Sequence, residues 1–393
     1  MNQQFLLRSN AHLAHFTCGL NPKLGGVVSG IELSTMNLAR YGIGGTVISL
    51  GNSTESLVAA EPSVAQMRTG GVKVLTTPSW FTNSYGLGGN FGIQKKLNAS
   101  SNYSLIILHQ VYTLSTLLGY RYAKKYRIPY AVKPHGSLTH YHESDSKLIK
   151  FLAKKLIISK ILREANAIIV TCDSEKYDLD ISLQSKVCNL QYGAAMDDQL
   201  VQGNFRAMGV SKGTRIMFSG RFDKKKNLPL LFNAMPRILI KYPNLILDIA
   251  GSGSAREIRD LENLIQTLGL EKNIEFHGWI DKTKMDELFN STRLLVLPSE
   301  NENFALVVSE ALSAGVPCVV SKFVGTSDIV AKHHAGEIID DLTPESVAAS
   351  VIKVLEGDEN TYRDAAIAAT REDLDWSKIA LKWKALISSL AVE

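Results

Sequence analysis

The sequence is short of several things, and each shortage removes a class of protein. It has no run of about 18 or more apolar residues, so no membrane-spanning helix is expected. Its four cysteines, Cys18, Cys172, Cys188 and Cys318, include no C-x-x-C pair. That fits reduced thiols in a cytosol better than a disulfide framework or a zinc site. The N-terminal MNQQFLLRSN lacks the basic segment and apolar core of about 7–15 residues that mark a secretory signal, so none is expected. There is no internal repeat of about 20–50 residues and no low-complexity tract. Excess charge is scarce as well. The 43 basic and 38 acidic residues leave a net +5, too little to imply a nucleic-acid partner. No D-x-D stands beside a strand, and His140, His142, His333 and His334 lack partners at metal spacing, so no metal site is expected and these histidines read as surface residues.

What is present describes a soluble globular chain, 45% hydrophobic and 21% charged. At 393 residues it exceeds one ordinary core, and two domains are expected. The first half alternates strand and helix patterns. Strands are read at His12–Cys18, Thr46–Leu50, Val72–Thr76, Leu105–His109, Tyr130–Lys133, Ala167–Val170 and Lys186–Leu190. Ser29 is a candidate cap for a helix reaching Arg40, and further helices are read at Leu114–Tyr126 and Lys147–Arg163. A polar stretch, Gln191–Gly213, then holds the domain boundary, placed at 195/196, and the alternation restarts. The expected domains are 1–195, with a terminal helix over 376–391 packing back on it, and 196–375. Strands alternating with helices imply a mostly parallel sheet in each, with ligands at the carboxyl ends of the strands.

The most informative stretch is PSENENFALVVSEALSAGVPCVV, Pro298 to Val320. It reads as a strand end, a polar loop, an apolar helix from about Phe304, a Gly315 cap and a new strand. Glu302 lies at the mouth of that helix and Glu310 about two turns along it. Helix N-termini attract anions and hydroxyls, yet two glutamates there can equally be solvated. Arg221 and Lys226 follow the strand Arg215–Ser219, where a forked donor and a point charge suit a diphosphate or simply make a basic loop. Gly25-Gly26 follows the first strand and lets a backbone approach a phosphate, or is a plain flexible loop. His135 ends a strand in KPHGS, facing a ligand or packing beside Pro134. Lys147–Arg163 carries six basic residues and no acid. It is either an ordinary helix with a solvated basic face or one lying on an anionic membrane surface.

Taken together, SGRFDKKKN, IAGSG, FHGWI and PSENENFALVVSEALSAGVPCVV, preceded by Gly25-Gly26 and PHGSL, occur in an order and spacing that resemble the family-4 retaining glycosyltransferases of the GT-B fold. The resemblance is strongest over 215–330. It implies an α/β protein of two Rossmann-like, doubly wound parallel-sheet domains facing across a cleft, the second binding the nucleotide-sugar donor. By that likeness Arg221 and Lys226 would grip the donor diphosphate. Glu302 would bind sugar hydroxyls and Glu310 the ribose, with backbone N–H groups of Asn303, Phe304, Ala305 and Leu306 assisting. His135 would contact the donor sugar, Gly25-Gly26 would close on the pyrophosphate, and Gly278 to Ile280 would border the base. His135, Arg221, Lys226 and Glu302 would carry the catalysis. Tyr192-Gly193 replaces the family's usual Asn-Gly, Ala195 or Met196 stands where an acid is usual, Ala305 replaces a common glycine, and the KFVGTSD turn keeps only Gly325.

The activity implied is transfer of a hexose from a UDP- or GDP-sugar to a hydroxyl of a glycan or lipid-linked acceptor, with retention and no other cofactor. Bacterial surface polysaccharide is the expected setting, in the cytoplasm at the inner membrane face. The alternatives are a GT-B-fold sugar-nucleotide epimerase or phosphorylase, or a non-catalytic GT-B scaffold subunit of a membrane complex.

Overall fold

A computed structural model describes residues 11–21, 25–52, 54–78, 102–138, 157–177, 179–194 and 215–391. Continuous apolar runs such as LIILH and AIIV become strands buried on both faces, as parallel strands covered by helices must be. In the first sheet these are β1 (Ala11–Thr17), β2 (Ile43–Asn52), β3 (Lys73–Pro78), β4 (Leu105–His109), β5 (Tyr130–Lys133), β6 (Ala167–Val170) and β7 (Val187–Asn189). Their order is β3-β2-β1-β4-β5-β6-β7, with every pairing parallel. The second sheet holds β8 (Arg215–Ser219), β9 (Ile246–Ala250), β10 (Ile274–Gly278), β11 (Leu294–Leu297), β12 (Cys318–Ser321) and β13 (Gly336–Ile339), in the order β10-β9-β8-β11-β12-β13. It too is parallel throughout.

Both sheets follow one rule. The chain starts mid-sheet, winds to one edge, then returns to build the other side. The direction reverses between β1 and β4, and again between β8 and β11. Such switch points leave a crevice at the carboxyl ends of the two central strands, where doubly wound sheets bind ligands.

The chain divides into two compact units, 1–192 with 376–393, and 193–375. The expected boundary residues, 195 and 196, lie outside the described residues. The helix Trp376–Leu390 belongs to the first unit, where Trp376, Ile379, Trp383, Leu386 and Ile387 cover Leu13, Leu105, Ile107 and Ile169 of the sheet. The opposite face of the same sheet buries Phe16, Ile106, Leu108, Val132 and Ile168 beneath Tyr122 and Ile161.

The structure departs from the sequence reading at several elements. The first helix is Gly26–Arg40, beginning three residues before Ser29, because Gly25 at φ 76° turns the chain directly into it without a side-chain cap. The helices Thr54–Thr69, Ser327–His333 and Glu359–Asp373 were not read at all. Pro62 lies inside the first of them. The last supplies Asp373, whose Oδ2 holds His333 Nε2 at 2.6 Å and Lys332 Nζ at 2.7 Å. His333 is therefore a paired, mostly buried residue (its side chain 8% exposed), not a surface histidine. His140, His142 and the basic residues at 147, 150, 154 and 155 lie outside the described residues. The described part of that basic run is a helix over 157–164, with Ile161 and Leu162 buried and Lys160 near Glu164. Among the described residues no helix is long and apolar enough to cross a membrane.

Candidate active site

The candidate residues divide between the units. Arg221, Lys226, Gly278, Ile280, Asn303 to Leu306, Glu302 and Glu310 belong to the second; Gly25, Gly26 and His135 belong to the first.

In the second unit the loop after β8 turns through a short helical turn, Lys224–Lys226. Lys226 folds back over Gly220, where a Cβ would stand 3.1 Å from its Cε. Its Nζ then lies 2.7 Å from Glu302 Oε1, and Lys225 Nζ is 3.9 Å from the same oxygen. The 2.7 Å contact is an ion pair whose angles do not make a hydrogen bond, since Glu302 Oε1 has no hydrogen-bond partner. Both side chains are nearly enclosed, 11% and 10% exposed. The pair thus spans the switch point, one partner following β8 and the other following β11. Its loop is pinned from both sides. Glu300 N donates to Lys225 O (2.7 Å), Glu302 N to Phe323 O (3.0 Å) and Gly325 N to Glu302 O (2.9 Å). Arg221 is half exposed and pairs with Asp223 at 3.2 Å, so it shares the loop without joining the Lys226–Glu302 pair.

The following helix, Leu306–Ser313, starts from Ala305 in a left-handed conformation, φ 59°. Phe304 is buried (3% exposed), so its ring serves packing. Glu310, farther along, is part-buried. Burial raises its carboxyl to about 7, Asp286 adds to the rise, and Lys282 opposes it. Gly278 takes φ +66°, and its carbonyl receives Gly251 N at 2.7 Å. Trp279 beside it is 60% exposed.

In the first unit Gly25 occupies a positive φ, whereas Gly26 is helical and an added Cβ there would meet open space. Only Gly25 is constrained by the fold. His135 adopts φ 54°, and Gln110, at the end of β4, φ 66°. Side chains rarely hold this region without support from their surroundings. Both ring nitrogens of His135 already face protein partners. Nε2 is 2.8 Å from His109 Nδ1, and Nδ1 is 3.4 Å from the Tyr192 hydroxyl. His109 Nε2 in turn meets His15 Nδ1 at 3.0 Å. Lys133 lies beneath, 2% exposed, its Nζ 4.0 Å from the Tyr192 ring centroid. Burial lowers the Lys133 ammonium to about 7 against the pull of Glu175. Glu175 itself accepts from Gly136 N and Thr171 N.

Sequence reasoning singled out His135 and missed His15, His109, Lys133 and Glu175, which no spacing connects. Tyr192 was visible only as a departure from the family pattern. A further polar cluster also escaped notice. Asp248, Glu275 and His277 place ligand atoms within 4.8 Å of one another. Arg215 fills that cluster, its Nη2 2.5 Å from both Asp248 Oδ1 and Glu275 Oε2 and its Nε 2.7 Å from Asp248 Oδ2. A guanidinium already supplies the charge an ion would bring, so the group clamps β8, β9 and β10 together.

Comparison with known proteins defines the class. The structural neighbours are GT-B glycosyltransferases, and the fold is GT-B, two Rossmann-like α/β domains. Sucrose-phosphate synthase from Thermosynechococcus elongatus superposes with a TM-score of 0.73 at 18% identity, covering 97% of this chain and 99% of that one. HepE of Anabaena, solved with UDP and glucose, gives 0.70 at 17% identity over 96% and 99%. More particularly, residues 205–373 match the family model "Glycosyl transferases group 1", so the second unit carries a domain of that family. Among curated proteins, an uncharacterized glycosyltransferase of Methanocaldococcus jannaschii is 28% identical over 284 residues, 65% of this chain and 67% of that one. These first curated relatives are matched over about two thirds of their length.

Proposed function

We propose that this chain is a retaining glycosyltransferase. It moves a hexose from a nucleotide-diphosphate sugar, UDP- or GDP-linked, to a hydroxyl of a glycan or lipid-linked acceptor. The observation that carries this reading is the enclosed Lys226–Glu302 pair across the switch point of the second sheet. An enclosed ion pair costs desolvation that its own attraction seldom repays, so its retention points to a ligand. A diphosphate suits Lys226 and the exposed Arg221 in the same loop, while sugar hydroxyls suit the acceptor oxygens of Glu302. The structural likeness to HepE, whose crystals hold UDP and glucose, supports the same donor class.

No protein nucleophile is needed. The departing phosphate takes the acceptor proton, while Arg221, Lys226 and N–H groups at the start of Leu306–Ser313 stabilise its developing charge. Glu302 and His135 orient the sugar. The basic run over 147–163 supports an anionic or membrane-borne acceptor in surface polysaccharide synthesis.

The test is nucleotide release from UDP-, GDP- and ADP-glucose. One donor should be consumed in preference, and Arg221→Ala or Glu302→Ala should lower turnover by about 10²-fold or more with an unchanged circular dichroism spectrum. Wild-type turnover in either variant, or no release from any donor, sinks the assignment.

A further inference from the structure

The first sheet has a switch point of its own, between β1 and β4, and three imidazoles occupy it, those of His15 and His109 buried and that of His135 part-buried. His15 is on β1, His109 ends β4 and His135 follows β5, so they come from three neighbouring strands in sheet order. The ring centroids are 5.3 and 5.1 Å apart with planes 25° from parallel. With nitrogen contacts of 3.0 and 2.8 Å, the rings meet edge to edge, as links of one chain.

Everything around the chain keeps it neutral. Burial comes first for all three rings and lowers His15 to about 3. Lys133 on β5 adds repulsion at each, His12 on β1 adds more at His15, and His135 and His15 both repel a charge on His109. The facing groups from other elements are Glu175, which attracts the Lys133 charge, and the Tyr192 hydroxyl.

A neutral imidazole has one N–H and one lone pair. In a chain of such rings each must donate once and accept once, so fixing one tautomer fixes all. Only two arrangements exist. In one, all three rings carry hydrogen on Nδ1 and His135 offers an N–H at its outer edge. In the other, all three carry it on Nε2 and His135 offers a lone pair. That outer edge is Nδ1, where the Tyr192 contact is long at 3.4 Å. It can be exchanged for a substrate hydroxyl while the 2.8 Å contact at Nε2 persists.

We propose that His109 and His15 are positioning residues: they lock His135 into a single tautomer, so that its Nδ1 edge meets a donor-sugar hydroxyl as a hydrogen-bonding group of fixed sense. The lock is a property of the first unit alone; its use in catalysis rests on the reading of His135 as a sugar contact.

The test is nitrogen-detected NMR of the full chain labelled with ¹⁵N-histidine, between pH 6 and 8. His15, His109 and His135 should show one shared tautomer, all Nδ1–H or all Nε2–H, and should not titrate. Mixed tautomers, or an imidazolium among the three, overturn the lock. His109→Phe should leave His135 averaging between tautomers and lower kcat with the preferred donor by about 10²-fold, as misplacement of a reacting group does. His15→Asn, a milder change at the far end, should shift the His109 and His135 signals together. Unmoved signals in that variant also overturn the proposal. If the wild-type chain turns over no sugar nucleotide, the sugar contact falls, while the spectra still decide the lock.

Discussion

Single residues in the second unit hold positions that chemistry alone would not choose. Ala305 opens the helix Leu306–Ser313 at φ 59°, ψ 74°, where an L side chain costs about 1–2 kcal/mol relative to the right-handed region. Replacement by glycine relieves this, but the freer unfolded chain returns about 0.5–1 kcal/mol of it. Ala305→Gly should therefore leave the urea midpoint unchanged or slightly raised. Ala305→Val, with a branched side chain in the same region, should destabilise by about 1–3 kcal/mol. A lower midpoint for the glycine variant would show that Ala305 makes contacts worth more than its strain. Glu310 presents a second conflict, since burial raises its carboxyl to about 7. A raised folded pKa favours the protonated form, so its contribution to stability is complete below the ordinary carboxyl pKa and is lost as pH rises through about 7. A ribose, however, donates hydroxyl protons and needs the carboxylate to receive them. Binding of UDP near pH 6.5 should thus release a proton, seen as a heat of binding that varies with the ionisation enthalpy of the buffer. Glu310→Gln should abolish that dependence; its persistence would place the proton elsewhere.

At the scale of elements, the strands of the first sheet bring His15, His109 and Lys133 into one dry neighbourhood. A histidine whose folded pKa is depressed contributes stability that is full above its unfolded pKa, about 6.5, and fades as pH falls toward the folded value. For His15 that window runs from about 6.5 down to about 3, and His109 and His135 shift in the same direction. The first unit should lose stability on acidification from pH 7 to 5, by up to about 1.4 kcal/mol per pH unit for each of the three. Thermal unfolding across that range checks it, and a flat profile would mean the rings are charged when folded. None of this was legible in the sequence. His15 and His109 stand 94 residues apart and touch only because β1 and β4 are neighbours in the winding order. The strands themselves were legible, because runs such as LIILH, AIIV and LLVL are apolar on both faces and end at turn residues. So was the Pro298–Val320 stretch, because a strand end, polar loop and glycine-terminated helix each leave a local mark. The helix Thr54–Thr69 was not, since Pro62 interrupts its pattern without breaking the fold. The Lys226–Glu302 pair was half legible. Both residues were singled out, but their contact depends on β8 lying beside β11.

At the scale of the whole molecule, the two units differ in how the chain closes them. Unit 193–375 is one continuous segment, whereas the other needs 376–393 to return to residues 1–192. The returning helix is no ornament, for Trp376 and Trp383 are 7% and 2% exposed over the apolar face of the first sheet. Removing it would uncover Leu13, Leu105, Ile107 and Ile169, which share its cluster. Trp383→Ala alone should cost about 3–5 kcal/mol through the cavity it leaves. The two units should therefore respond differently to truncation. A chain ending at Asp375 should lose the cooperative unfolding of the first unit and expose apolar surface to a dye. The separate segment 193–375 should still unfold in one cooperative step, because its sheet, its helices and the Lys226–Glu302 pair are all its own. It should also bind UDP, since every donor-binding residue proposed for the nucleotide except Gly25 and Gly26 lies within it. Titration calorimetry of that segment decides the matter. Binding that Glu302→Ala leaves intact and Arg221→Ala removes would assign Arg221 to the diphosphate and Glu302 to the sugar. A folded segment that ignores UDP would mean that the nucleotide is not held by this unit.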